Sequence, residues 1–293
     1  MKQALVFCAA ALACLCLCGR PHKRPAEAGI AVFVSIVPQK YFVDKISGGR
    51  VNCLVMVPPG TNVHSYEPHP AQMSLLSTAR AYFAVGLEFE EPWLPKFASM
   101  APGMLVVHTD RLVRKLPAVD NDEHAPANGG RGLDPHIWLS PELVKLQASS
   151  IAAGLARIDT AHALAYKKNC SLFFAEIDSL ERQLRAILPC DSGGRRKAFL
   201  VFHPTWGYFA KDYCLKQVSI EVEGKEPSPR TMRAILDTAR YYKIHTVFVQ
   251  PEFSRRSAEV IARELGAGVV EADGLAYDWK NTLLSVARKI GEQ

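Results

Sequence analysis

Short apolar runs alternate with amphipathic stretches along most of the chain, and the pattern falls into two similar halves. Each half has four runs rich in Val, Phe and Ile. The eight runs are Ala31–Val37, Val51–Val57, Ala81–Val85, Met104–Val107, Ala198–Phe202, Gln217–Val222, Thr246–Val249 and Gly268–Glu271. Nearly continuous apolar strands separated by helical segments are typical of parallel sheets covered on both faces. The pattern predicts an α/β protein with two lobes, each with a mainly parallel four-stranded sheet and flanking helices.

A long stretch without strand patterning joins the two halves. It runs from Pro141 to Leu188, with a break near Asp159-Thr160. After the break, residues 161–188 contain no Gly or Pro, and apolar residues recur mostly at steps of three and four. This spacing predicts one rigid helix of about 28 residues, about 40 Å long. We therefore expect an N-terminal lobe at 30–140, linking helices at 141–190 and a C-terminal lobe at 191–293.

The first 29 residues are typical of an export signal. Lys2 precedes an apolar run from Ala4 to Cys18, and basic residues follow at Arg20 and beyond. The run is shorter than the roughly 20 apolar residues of a membrane-spanning helix. Leu15, three residues before Cys18, is compatible with a lipoprotein signal, whereas the large Leu17 disfavours one. Both forms stay open, so the predicted location is periplasmic or lipid-anchored outside the cytoplasmic membrane.

Composition and charge exclude several classes of protein. The chain has 293 residues, of which 48% are hydrophobic and 22% charged, as in ordinary globular domains. The net charge is +6, and the first 29 residues carry 4 − 1 = +3 of it. The remainder is only mildly basic and has no basic block. We therefore expect no nucleic-acid partner.

Four cysteines lie beyond the predicted signal. Export would make Cys53, Cys170, Cys190 and Cys214 candidates for disulfides, with three complete pairings possible. Buried free thiols are an equal alternative. No C-x-x-C pair exists among the four, which disfavours a zinc site built from their thiolates.

Three histidines and one aspartate lie at the ends of predicted elements. They are His64, His136, His203 and Asp273, separated by 67 to 72 positions. Open parallel sheets hold ligands at the carboxyl ends of their strands. Three imidazoles and a carboxylate suit a tetrahedral zinc site. Spacing alone is a weak signal here, because only the fold could bring such distant residues together.

Four sequence stretches carry a more specific signal. They are PPGTNVHSYEPHP (58–70), DPHIWLSP (134–141), FHPTWGYFA (202–210) with EGKEPSPRTM (223–232), and VFVQPEFS (247–254) with the EADG turn. In kind and order they resemble the motifs of ZnuA- or TroA-like receptors, the zinc and manganese solute-binding proteins of ABC importers. The resemblance implies two lobes joined by a backbone helix, with a metal ion between them bound by His64, His136, His203 and Asp273.

The resemblance also implies a function. It points to a high-affinity extracytoplasmic receptor, a monomer and not an enzyme, that delivers Zn2+ to an ABC membrane permease. Imidazole at position 203 favours zinc, and a manganese or dual-metal receptor is the alternative. Affinity should fall in acid as the histidines protonate. A surface adhesin is a second alternative, since some family members bind host proteins. A zinc hydrolase is disfavoured, because four protein ligands leave no metal-bound water.

Two further histidines depart from the family pattern. His69 stands where the family commonly has threonine, and an exposed residue at a helix start is favoured over a fifth ligand. His124 lies in the polar segment Pro117–Gly132, where many zinc receptors carry a histidine-rich loop. A solvated loop is favoured there over a weak metal trap.

Several carboxylates leave their roles open. Asp278 and Glu252 compete with Asp273 as the carboxylate ligand, and the position of Asp273 directly after a strand favours it. Asp134 either fixes the tautomer of a ligand imidazole or caps a turn, and the sequence does not separate these roles.

Overall fold

The computed structural model describes residues 29–118, 132–190, 197–221, 227–253 and 255–293. The predicted export signal, apart from Gly29, lies outside the described residues, and so does His124. Within the described ranges, no helix combines the length and apolar character needed to cross a membrane.

The first lobe is a four-stranded parallel sheet with helices between its strands. Its elements are β1 (Ile30–Val34), α1 (Val37–Ser47), β2 (Val51–Val55), α2 (Pro70–Leu76), β3 (Ala81–Ala84), α3 (Glu90–Met100) and β4 (Leu105–His108). The strand order is β2-β1-β3-β4. Val32 of β1 pairs with Cys53 on one side and with Ala81 on the other. The four predicted strands are confirmed, with ends that differ by up to three residues.

Two helices leave this lobe, α4 (Pro141–Ile158) and α5 (Ala163–Ile187). The Ser140 hydroxyl accepts a hydrogen bond from the backbone N of Leu143 and caps α4. A short 3-10 turn at Thr160–His162 separates the helices, at the predicted break. The predicted long helix is therefore confirmed with 25 residues, because the 3-10 turn takes its first positions.

The second lobe repeats the architecture of the first. Its elements are β5 (Ala198–Val201), α6 (Gly207–Asp212), β6 (Lys216–Ser219), α7 (Pro229–Tyr242), β7 (Thr246–Val249), α8 (Arg255–Leu265), β8 (Gly268–Glu271) and α9 (Trp279–Gly291). The order β6-β5-β7-β8 is parallel throughout and repeats that of the first sheet. The predicted fold class, two lobes with parallel four-stranded sheets and a long helix between them, is confirmed.

One buried apolar cluster connects both lobes and the linking helices. It contains Phe83 of β3, Phe173 of α5, Trp279 of α9, and Phe199 and Val201 of β5. Alternate residues of β5 belong to a second, smaller cluster on the opposite face of that sheet. Because successive strand residues point to opposite faces, β5 is buried on both sides.

The four cysteines within the described residues form one disulfide and leave two free thiols. Cys190 and Cys214 form a disulfide, which links the end of the long-helix segment to the turn after α6. Cys53 and Cys170 are free and buried. Burial raises the pKa of the Cys53 thiol to about 12, which keeps it protonated and unreactive.

Candidate metal site

Three histidines from distant parts of the chain meet between the lobes. His64 lies in the loop after β2, His136 precedes the 3-10 turn Ile137–Leu139 that leads into α4, and His203 follows β5. One ring nitrogen from each lies within 4.8 Å of those of the other two. The Nε2 atoms of His64 and His203 are 3.1 Å apart. The predicted histidines therefore converge in space.

Each of these imidazoles is held by a carboxylate at its Nδ1 atom. The three pairs are His64 with Glu88 at 2.9 Å, His136 with Asp134 at 2.7 Å and His203 with Glu221 at 2.7 Å. An Nδ1–H that donates to a carboxylate leaves Nε2 unprotonated, with its lone pair available. Three such lone pairs aimed at one point repel each other, and a cation at that point removes the repulsion.

The electrostatic environment favours the metal-binding forms of these groups. Burial lowers the pKa of His203, and this effect outweighs the hydrogen bond to Glu221, which raises it. His203 is therefore neutral at pH 7, the form that binds metal. Burial raises the pKa of Glu88, but hydrogen bonds from the His64 ring and from its own backbone N–H lower it more. The net pKa of Glu88 is lowered, so Glu88 is ionised and accepts the Nδ1–H bond.

Asp134 combines both of the roles considered for it. Its Oδ1 accepts hydrogen bonds from the backbone N and the Nδ1 of His136, at 2.9 and 2.7 Å. The Tyr208 hydroxyl of α6 donates to the backbone O of Asp134 at 2.7 Å and accepts from the backbone N of Leu116. Residues of both lobes thus fix the orientation of the His136 ring.

Sequence reasoning missed two of the three carboxylates that orient the histidines. Glu88 follows β3 by four residues and Glu221 follows β6 by two, and β6 lies beside β5, the strand that His203 follows. An acidic residue within four positions of the carboxyl end of a strand is the signal that could have found them. The pattern does not give the direction of either side chain.

The three candidate carboxylate ligands lie in different surroundings. Asp273 follows β8, is half-buried, and its Oδ1 accepts a hydrogen bond from the backbone N of Leu275 at 2.8 Å. Burial raises its pKa. Asp278 is exposed, and its Oδ2 accepts from Asn281 at the start of α9. Glu252 follows β7 and lines a small cavity together with His64 and other residues. None of the three belongs to the group within 4.8 Å.

His69 lies outside this centre. It is exposed and precedes α2, where its backbone N donates to the side chain of Gln72 at 3.0 Å. This position agrees with the favoured interpretation of an exposed residue at a helix start.

Comparison with known proteins gives consistent results. The family model for the periplasmic zinc-uptake complex component A, ZnuA, matches residues 32–290. A crystal structure of ZnuA is 41% identical, with a TM-score of 0.81, over 90% of this chain and 98% of that chain. The high-affinity zinc uptake system protein ZnuA of Bacillus subtilis is 25% identical over 244 residues, 80% of this chain and 75% of that protein.

A manganese complex shares the fold alone. The solute-binding protein FpvC of Pseudomonas aeruginosa, solved with Mn2+, is 21% identical, with a TM-score of 0.73, over 90% of this chain and 97% of that chain. The ZnuA family consists of transport receptors, so the prediction that the chain is not an enzyme is confirmed by the family match. Its motifs, its two-lobed fold and the matched length agree: the chain belongs to the ZnuA family of zinc-uptake components.

Proposed function

We propose that this protein is an extracytoplasmic receptor that captures Zn2+ with high affinity and delivers it to the membrane permease of an ABC importer. The observation that carries the proposal is the convergence of three imidazole nitrogens within 4.8 Å, on rings anchored through Nδ1. Nitrogen donors in this number are the preferred ligands of zinc. Membership of the ZnuA family supports the same substrate.

The proposed ligands are His64, His136 and His203, with Asp273 as the fourth. Asp273 lies on the short loop between β8 and α9, and we expect a local movement at this residue to bring its carboxylate to the ion. Four protein ligands would complete a tetrahedron and leave no bound water to activate. Such a site stores and transfers an ion rather than catalysing hydrolysis.

The proposed receptor is a monomer and acts outside the cytoplasm, either in the periplasm or tethered by a lipid. Its partners are the zinc ion and the permease, and nucleic acid is not among them. The zinc-binding lipoprotein AdcA of Streptococcus pneumoniae, 24% identical over 265 residues, is a tethered relative. The adhesin alternative rests on structures below 25% identity, which share the fold, and no observation on this chain favours it.

Metal titration of the mature protein tests this function. Zn2+ binding is measured by competition with a chromophoric chelator, with Mn2+ as the competing ion. Wild type is expected to bind one Zn2+ and to prefer it to Mn2+. His136→Ala and His203→Ala should each weaken zinc binding by at least about 100-fold, since each removes a direct ligand.

His108→Ala is the matched control, because His108 is an exposed histidine at the end of β4. It should bind zinc like the wild type. Absence of specific zinc binding by the wild type would contradict the function, and unchanged affinity in the two site variants would contradict the ligand set.

A further inference from the structure

Glu252 has a buried carboxylate oxygen that makes no hydrogen bond to the described residues. Its side chain lines the small cavity that is also lined by His64, His136 and His203. Its Oε2 atom is buried and has no hydrogen-bond partner among the described residues. A buried carboxylate oxygen without a partner is unfavourable unless a cation or donor compensates it.

The segment that carries Glu252 is fixed against His203 on both sides. Before it, the Gln250 side chain donates to the backbone O of His203 at 2.8 Å and to the hydroxyl of Thr205 at 2.7 Å. After it, the Phe253 ring stacks on the His203 ring, with centroids 4.7 Å apart and planes at 20°. The backbone on both sides of Glu252 is therefore held close to His203, whereas its carboxylate lies outside the group of atoms within 4.8 Å and must turn toward the imidazoles to reach a bound ion.

The sheet topology places Glu252 where a ligand is expected. In the strand order β6-β5-β7-β8, the connection that follows β5 leads to β6 at one edge of the sheet. The connection that follows β7 leads to β8 at the opposite edge. Such a reversal opens a crevice between the carboxyl ends of the two central strands, and open α/β sheets bind ligands there. His203 follows β5 and Glu252 follows β7, so both residues border this crevice.

We propose that Glu252 is a metal ligand that determines which cations the site accepts. The inference rests on the proposed zinc-receptor function and deepens it. A second carboxylate beside three imidazoles and Asp273 raises the available donors above four and adds hard oxygen. Harder ions of higher coordination number, such as Mn2+, gain more from this oxygen than zinc does. Glu252 thus extends a tetrahedral zinc site into one that also holds manganese.

The test compares Glu252→Gln with wild type and with Glu271→Gln, in titrations with Zn2+ and Mn2+. Glu252→Gln keeps the side-chain shape. It is expected to lower Mn2+ affinity by about tenfold or more and Zn2+ affinity by clearly less, so that the Zn/Mn preference rises.

Burial raises the pKa of both Glu252 and Asp273, and the charge of Glu271, which is exposed at the end of β8, adds to the increase. Glu271→Gln therefore controls for charge alone, and its Zn/Mn preference should stay at the wild-type value.

Co2+ loading gives a readout that a purely structural role would not change. Replacement of the carboxylate by the neutral, weakly coordinating amide oxygen of glutamine should shift the visible Co2+ spectrum of Glu252→Gln toward the intense bands of a four-coordinate ion. The spectrum of Glu271→Gln should match wild type. An unchanged Zn/Mn preference or an unchanged Co2+ spectrum in Glu252→Gln, with wild-type zinc binding intact, overturns this inference alone. A wild type that binds no zinc overturns both proposals.

Discussion

At the residue scale, the site depends on where one proton lies on each histidine ring. Glu88, Asp134 and Glu221 each accept an Nδ1–H, so the free nitrogen of every ring faces its neighbours. The sequence identified the three histidines and Asp134, because strand ends and family motifs are local signals. It did not identify Glu88 or Glu221, because the role of each depends on contact with a histidine 24 or 18 positions away.

Glu221→Gln tests this orientation directly. The amide carries no charge and can present its NH2 group to Nδ1, which moves the ring proton to Nε2 and blocks the metal-binding lone pair. We expect zinc affinity to fall by about 10- to 100-fold, measured by chelator competition. Glu264→Gln, on the exposed face of α8, is the control and should bind as wild type. Equal affinities for the two variants would contradict the orienting role.

At the scale of elements, helices pack on the sheets through positions that the apolar pattern does not distinguish. Gly154 of α4 faces the first sheet, where an added Cβ would lie 2.7 Å from Phe83 Cε1 and 3.0 Å from Val107 Cγ2. The spacing of apolar residues predicted which segments are helices and which are strands, because each kind of element buries one or both of its faces and so repeats apolar residues at its own interval. It could not predict so close an approach of helix to sheet, because that depends on the opposing side chains.

Gly154→Ala is therefore expected to destabilise the protein, whereas helix propensity alone predicts that it stabilises it. Alanine favours a helix over glycine by about 1 kcal/mol. Overpacking against a buried ring costs about 1–3 kcal/mol. We expect a net loss of about 1 kcal/mol in the free energy of unfolding, measured in urea, because the Phe83 ring that the new methyl group meets is fully buried. Ser149→Ala, on the exposed face of α4, should be nearly neutral, and a stabilised Gly154→Ala would show that the helix moves away freely.

At the scale of the whole molecule, hydrogen bonds join the two lobes close to the site. The Trp138 indole N–H donates to the backbone O of Gly274 at 2.8 Å, and the Trp279 indole N–H donates to the backbone O of Trp138 at 2.7 Å. The Tyr277 hydroxyl donates to Asp44 of α1 at 2.9 Å. With a shared apolar core, these bonds oppose large movements of the lobes. They also hold residues 274, 277 and 279, so we expect the rearrangement on metal binding to be local to Asp273.

Scattering and hydrogen exchange should separate loop movement from lobe movement. We expect the small-angle X-ray scattering curves of the metal-free and zinc-loaded protein to superimpose. Hydrogen exchange should slow on zinc binding in residues 270–280, the segment that carries Asp273. Compaction of the whole molecule on zinc binding, or equal exchange in this segment in both states, would contradict a loop-based mechanism.

The Cys190–Cys214 disulfide also acts at this scale, since it closes a loop with a sequence separation of 24 that contains β5 and α6. A loop of this size predicts about 3 kcal/mol of stabilisation, mainly by restricting the unfolded chain. Urea unfolding of the Cys190→Ser/Cys214→Ser double variant should show a loss of this order. Addition of a reductant should destabilise wild type and leave the variant unchanged, and a reductant effect of equal size on both would point to another cause.

The sequence by itself determined the local elements, the two-lobe repeat and the identity of the three histidines. These features depend on which face of a segment is buried, on capping residues and on motifs, all of which act over a few positions. The tertiary structure alone decided which histidine nitrogens converge, which carboxylates hold them, which cysteines pair and which acidic side chain borders the cavity. Apart from the local pair Asp134 and His136, each of these depends on residues far apart in the chain, and local patterns carry no information about which distant side chains the fold brings into contact.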